Sequence, residues 1–161
     1  MLPEIEEKDF LTSPIIEFEV LKEPWNEYEI KDGTITVTIR GKMIVTKILR
    51  TNKYDERGDP LYITGSQSIF ATFAPPNLRG KPHQRYDDKI RREHEKEELV
   101  FTTIKEDWSE YHLKDGSILR TKLILSGINR TDLYHADGDP VYSIYSSTTG
   151  RYIVPTTLKK I

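Results

Sequence analysis

The phrase EPWNEYEIKDGT, Glu23 to Thr34, is written again as EDWSEYHLKDGS, Glu106 to Ser117, 83 residues later. The match extends on both sides. Phe18 answers to Phe101, Lys22 to Lys105, Trp25 to Trp108 and Tyr28 to Tyr111. Beyond Asp32-Gly33 and Asp115-Gly116 the offset falls to 80, which implies three additional residues in the first stretch, expected around Arg40-Gly41-Lys42. Arg50-Thr51 then matches Arg130-Thr131, Tyr54 matches Tyr134, GDPLY (58–62) matches GDPVY (138–142), and Pro75 matches Pro155. Ordered blocks separated by one small gap predict a tandem duplication covering about residues 16–75 and 99–155. A lone unit of about 60 residues buries only about 60% of its unfolded surface and is marginal. Two copies sharing a core, or packed about a pseudo-twofold axis, are the expected outcome.

Within each copy the pattern is β. YEIKDGTITV alternates apolar and polar residues around Asp-Gly, the mark of a hairpin with a type I′ turn. With Asp32-Gly33 at the tip, Ile30 faces Ile35 and Tyr28 faces Val37 on the buried side. Trp25, Glu27 and Glu29 then share the other face with Thr36, Thr38 and Arg40. The same exercise in the second copy pairs Leu113 with Ile118 and Tyr111 with Arg120. It leaves Leu119 and Leu123 beside Trp108, so either both faces are covered or a bulge resets the register. MIVTKIL and LILSGI continue as strands, and DERGDP and HADGDP are turns. With lead-in strands at Phe18–Leu21 and Phe101–Ile104, each copy has about four strands.

The expected fold is therefore all-β: two small β-barrel-like modules joined by a charged segment. The divisions are an N-terminal arm (1–15), a first module (16–75), a loop and helix linker (76–98) and a second module (99–161). The linker reads as loop through Pro82 and as helix from about Tyr86, with Asp88/Arg92, Lys89/Glu93 and Arg91/Glu95 at i,i+4 spacing.

Composition removes several functions. There is no cysteine, which excludes disulfides, thiolate metal sites and cysteine nucleophiles. Together with abundant Ile, Glu, Lys and Arg, this usage suits a thermophile. The net charge of −2 supplies no global field toward nucleic acid or anionic lipid. No apolar run is long enough for a membrane span, and the acidic start MLPEIEEKDF lacks the form of a signal peptide, so a cytoplasmic location is expected. Neither a Gly-rich phosphate loop nor a nucleophile elbow occurs, and His83, His94, His112 and His135 lack zinc-ligand spacing. No cofactor or metal is expected.

What remains are surfaces. Trp25, Glu27 and Arg40, with Trp108, Glu110 and His112, form the first candidate, for a partner or ligand; a cation–π contact of Arg40 on Trp25 would hold that ring in place. Arg50 and Arg130 could grip anions, but salt bridges to the carboxylates of their own Gly-Asp-Pro turns, Asp59 and Asp139, are the favoured use. Arg79, Lys81, Arg85, Tyr86, Arg91 and Arg92 are the basic stretch a single-stranded nucleic acid would use. Only one ring is interleaved there and acidic residues dilute it, which favours a solvated linker. Asp59 with Asp139, or Glu27 with Glu110, would be the acids of a hydrolase. The leading expectation is a non-catalytic scaffold that binds a protein partner or itself; nucleic-acid binding and hydrolysis are the competing readings.

Overall fold

The computed structural model describes residues 3–83 and 85–160. It is mostly β, arranged as two antiparallel sheets. Helix α1 (Glu7–Thr12) leads into β1 (Phe18–Lys22), β2 (Asn26–Asp32), β3 (Ile35–Tyr54) and β4 (Pro60–Phe73). Helix α2 (Asp88–Glu93) leads into β5 (Glu95–Glu98), β6 (Phe101–Lys105), β7 (Ser109–Leu113), β8 (Ile118–Tyr134) and β9 (Pro140–Ile153). One sheet has the order β4-β3-β2-β6; the other runs β1-β7-β8-β5, with β9 also on β8. Neither path of pairing closes into a ring among the described residues.

The lead-in strands change places. β1 pairs with β7, Phe18 opposite Leu113, and β6 pairs with β2, Phe101 opposite Ile30. Each sheet thus completes itself with a strand from the other stretch of chain. The cores follow the same rule. One cluster joins Tyr28, Ile30 and Ile39 to Leu125, Ile128 and Tyr142; the other joins Tyr111, Leu113 and Leu119 to Met43, Val45 and Ile48. Each cluster combines side chains of both stretches. Removing these side chains from water is the main stabilising term, at about 25 cal/mol per Å² of apolar area, and the part made between the stretches is gained only when both are present.

The hairpin tips differ from the sequence expectation. In the first, Asp32 pairs with Ile35, so the two-residue turn is Gly33-Thr34 rather than Asp32-Gly33. Only Gly33 takes a positive φ, +65°, so the turn lacks the two left-handed positions of type I′ and has the leading glycine of type II′. Because the register moves by two residues, Tyr28, Ile30, Val37 and Ile39 stay on the buried face. In the second, His112 pairs with Ile118 and Tyr111 with Leu119, a one-residue reset from the expected register. That reset turns Leu119 and Leu123 inward with Tyr111 and Leu113, which removes the apparent mixing of faces. The pairs Glu29–Thr38 and His112–Ile118 are equivalent; residues 30–37 lie beyond the first and 113–117 beyond the second. The three additional residues therefore belong to the first hairpin's tip, not to the region of Arg40–Lys42.

The linker is also more ordered than expected. Helix α2 ends at Glu93, and Glu97 and Glu98 pair with Arg130 and Asn129 in β8. The Leu99 amide donates to the Ile128 carbonyl at 2.8 Å, and Leu99 is buried; a helix continued through this point could not deliver it to the core. Upstream of β1 the chain does the same: Ile15 bridges Leu49, and the Ile16 amide donates to Ile48 O at 2.9 Å. The ends correspond too. The Gly80 amide donates to Gly138 O at 3.0 Å, and the Lys160 amide to Gly58 O at 2.8 Å.

Candidate functional site

The doubled phrase meets itself where β1 crosses to β2 and β6 crosses to β7. The Tyr28 hydroxyl donates to Glu106 Oε1 at 2.8 Å, and the Tyr111 hydroxyl donates to Glu23 Oε2 at 2.7 Å. Both rings are fully buried. Burial first, and then the neighbouring carboxylate, push both phenols well above their usual range. Asn26 Oδ1 accepts from the Asp107 amide at 3.0 Å, and its Nδ2 donates to Leu123 O at 3.0 Å. Lys22 reaches Asp107 at 2.9 Å; that hydrogen bond, then the one from the Trp108 amide, hold the Asp107 carboxyl below its ordinary range. All of these bonds join one stretch to the other or brace the crossing.

The arginines follow the same plan, and here the expected partners are wrong. Arg50 pairs with Asp115 at 3.5 Å and Arg130 with Asp32 at 3.0 Å, the carboxylates of the opposite hairpin tips rather than Asp59 and Asp139. Each tip also accepts a tyrosine hydroxyl: Tyr62 on Asp115 at 2.6 Å and Tyr142 on Asp32 at 2.8 Å. Burial, then these carboxylates, raise both phenols. The Gly-Asp-Pro carboxylates are spoken for elsewhere. Lys159 approaches Asp59 at 3.5 Å and Arg79 approaches Asp139 at 3.4 Å, each from the segment that follows the other stretch's last strand. The hairpin aspartates and the GDPxY tyrosines were doubled in the sequence, so the signal was present; what was missing was which copy they would reach.

The tryptophans sit just before β2 and β7. Trp25 is 40% exposed and Trp108 is half-buried. Lys42 Nζ, not Arg40, lies over the Trp25 ring at 5.4 Å. Arg40 stacks on Phe73 at 5.1 Å and approaches Glu27 at 3.5 Å, because Glu27 and Arg40 are direct cross-strand partners. In the second stretch the residues at the matching positions both converge on Trp108, Arg120 at 4.9 Å and Lys122 at 5.6 Å. Glu110 lies 3.9 Å from Arg120 and its Oε2 is in hydrogen-bond contact with His112 Nε2 at 3.1 Å. Glu27 and Glu110 are thus paired with basic side chains of their own sheets. Beside these faces, the outer strands β1 and β6 leave Val20 (53%), Leu21 (61%) and Ile104 (49%) exposed.

In the basic stretch, Arg79 is engaged by Asp139, Arg91 by Asp88 at 3.5 Å, and Arg92 Nε donates to Asp88 O at 3.2 Å. Tyr86 shares a hydrogen bond of 3.2 Å with His135 Nδ1. Lys81 and Arg85 are exposed, and Gln84 between them lies outside the described residues. His83 stacks on Tyr134 and accepts its amide at 3.2 Å, while His94 bonds Asp132 at 2.6 Å. The four histidines are thus dispersed, and no group of three or more metal-ligating side chains forms among the described residues. No helix is long and apolar enough to cross a membrane. No protein family matches the chain, and neither curated proteins nor solved structures provide a match.

Proposed function

We propose that this chain is a tandem duplication whose copies exchange strands, and that it serves as a non-catalytic scaffold engaging a protein partner, a second copy of itself foremost. The observation that supports this reading is the fate of the doubled chemistry. Glu23 and Glu106, Asp32 and Asp115, Arg50 and Arg130 each contact a side chain from the opposite stretch, and Asp59 and Asp139 each contact one from the segment that follows it. Such contacts brace the fold, which gives these doubled residues a structural role. The surface offered outward includes apolar residues of the marginal strands, Val20 and Leu21 on β1 and Ile104 on β6.

Light scattering coupled to size exclusion tests this on the full chain. The wild type is expected to show a concentration-dependent dimer, and Leu21→Lys with Ile104→Lys is expected to return it to monomer with an unchanged circular dichroism spectrum. A monomer at every concentration, with no partner captured through these edges, would sink the proposal.

A further inference from the structure

The two long hairpins differ at one matched position. In β3–β4, Gly41 pairs with Phe70, and the ring lies on the glycine so closely that a Cβ there would come within 2.7 Å of Phe70 Cε1. Phe70 packs against both core clusters. Eighty residues on, in β8–β9, the matching pair is Thr121 with Gly150. The plugging ring is gone. In its place is a crevice of about 220 Å³ between the hairpins, with the hydroxyl-bearing Thr64, Ser66, Thr121, Thr148 and Tyr152 and the apolar Met43 and Leu119 among the residues that line it.

Three features define what such a space would hold. Thr121 is 4% exposed and its Oγ1 has no hydrogen-bond partner, an unfavourable state unless an incoming group meets it. No charged residue lines the crevice, so nothing favours an acid, an amine or a phosphate. Hydroxyl groups both donate and accept, and beside apolar side chains they suit a ligand that alternates O–H with C–H faces. Tyr152 supplies a ring, held by stacking on Tyr62 at 4.3 Å and by a 2.5 Å hydrogen bond with Thr64. The volume is below the roughly 300 Å³ at which pockets begin to take drug-sized ligands. We propose that this crevice binds one ring of a neutral sugar, with Thr121 Oγ1 as a direct hydrogen-bond partner.

Amide chemical shifts of the isotope-labelled full chain, titrated with D-glucose, D-galactose and N-acetyl-D-glucosamine, test the proposal. At least one sugar should give saturable shifts centred on Ser66 and on residues 148–150, and glucose 6-phosphate should bind no more tightly than glucose. Thr121→Val, which keeps the shape and removes the hydroxyl, should weaken binding at least about tenfold. The double variant Thr121→Gly with Gly150→Phe rebuilds the pair found at Gly41 and Phe70, so it should fill the crevice and abolish the shifts. Absence of saturation by all three sugars, undiminished binding by Thr121→Val, or binding retained in the folded double variant would overturn the assignment. If the double variant does not fold, Thr121→Val decides alone.

Discussion

Removing one hydroxyl, in Tyr111→Phe, is the sharpest test of the shared architecture. The ring stays in its core cluster and only the 2.7 Å bond to Glu23 Oε2 is lost. A hydrogen bond to a charged group contributes about 1.5–3 kcal/mol. Glu23 keeps Lys42 at 3.3 Å, so it is not left as an uncompensated charge and the larger penalties do not apply. For a chain of this size, about 1 kcal/mol shifts the melting temperature by about 2–4 °C, so Tyr111→Phe should lower it by about 3–12 °C. Tyr28→Phe removes the equivalent bond to Glu106 and should cost a similar amount, its Asn26 neighbour retaining Leu123 O.

The pair of variants says more than either alone. If both cores need both stretches, unfolding is one cooperative transition, and the double variant moves that single transition by about the summed cost, about 3–6 kcal/mol. Calorimetry and urea denaturation followed by circular dichroism would measure it. Two separable transitions, each sensitive to only one substitution, would refute the composite cores. So would a Tyr111→Phe cost below about 0.5 kcal/mol, the level of an ordinary surface change.

Further outcomes follow from the same geometry. Gly58→Ala should be severe, because its φ of +83° penalises a side chain by about 1–2 kcal/mol and the Cβ would also meet Lys160 O at 2.3 Å; thermal melts should rank it well below Gly33→Ala, which meets nothing within 4 Å and bears only the backbone cost. Alkali should unfold the protein: Tyr28, Tyr62, Tyr111 and Tyr142 have phenols raised above 10.0 by burial and adjacent carboxylates, so their contribution is complete below pH 10 and is lost as pH climbs toward the raised values. Ultraviolet difference spectra should show tyrosinate appearing together with loss of β signal, not before it. Acid acts through the opposite sign. Asp107 and Asp132 are held below 3.8, chiefly by hydrogen bonds from Lys22 and His94, so their contribution is present above about pH 4 and falls away beneath it. Asp107→Asn with Asp132→Asn should flatten that acid limb in a pH series of urea midpoints.

The strands themselves were legible because alternation and β-branched runs report faces directly. Phe18–Lys22 and Phe101–Lys105 stand where lead-in strands were expected, and Tyr28, Ile30 and Val37 are buried as the pattern requires. Their exchange was not legible. A strand's periodicity states which face is apolar and says nothing of which neighbour completes the sheet, and two stretches of similar pattern make that choice degenerate. Arg50 and Arg130 show the cost: each was expected at its own turn, yet each pairs with the carboxylate at the opposite hairpin tip, Asp115 and Asp32. The strand β5 was hidden for another reason. Glu95–Glu98 has strong helical composition, and pairing with β8 together with the burial of Leu99 overrides it.

Residues matched in both stretches make corresponding contacts twice; where matched positions differ, one stretch is released from that contact. The turn shows a harmless release: Asp-Gly appears twice, but three additional residues lengthen one tip, and the second register resets so that Leu119 and Leu123 still point inward. Gly41–Phe70 against Thr121–Gly150 is a release of another kind. Packed interiors lose dispersion contacts wherever a ring is deleted without replacement, and a threonine hydroxyl buried without a partner adds a second unfavourable term. Neither change serves stability, and both face the same crevice. A Cβ at position 150 would lie 3.0 Å from the Arg120 carbonyl oxygen, so the rebuilt Gly–Phe pair raises the melting temperature where the strand yields by a few tenths of an ångström. A rise accompanied by lost sugar binding is the combination that separates a functional opening from a packing defect.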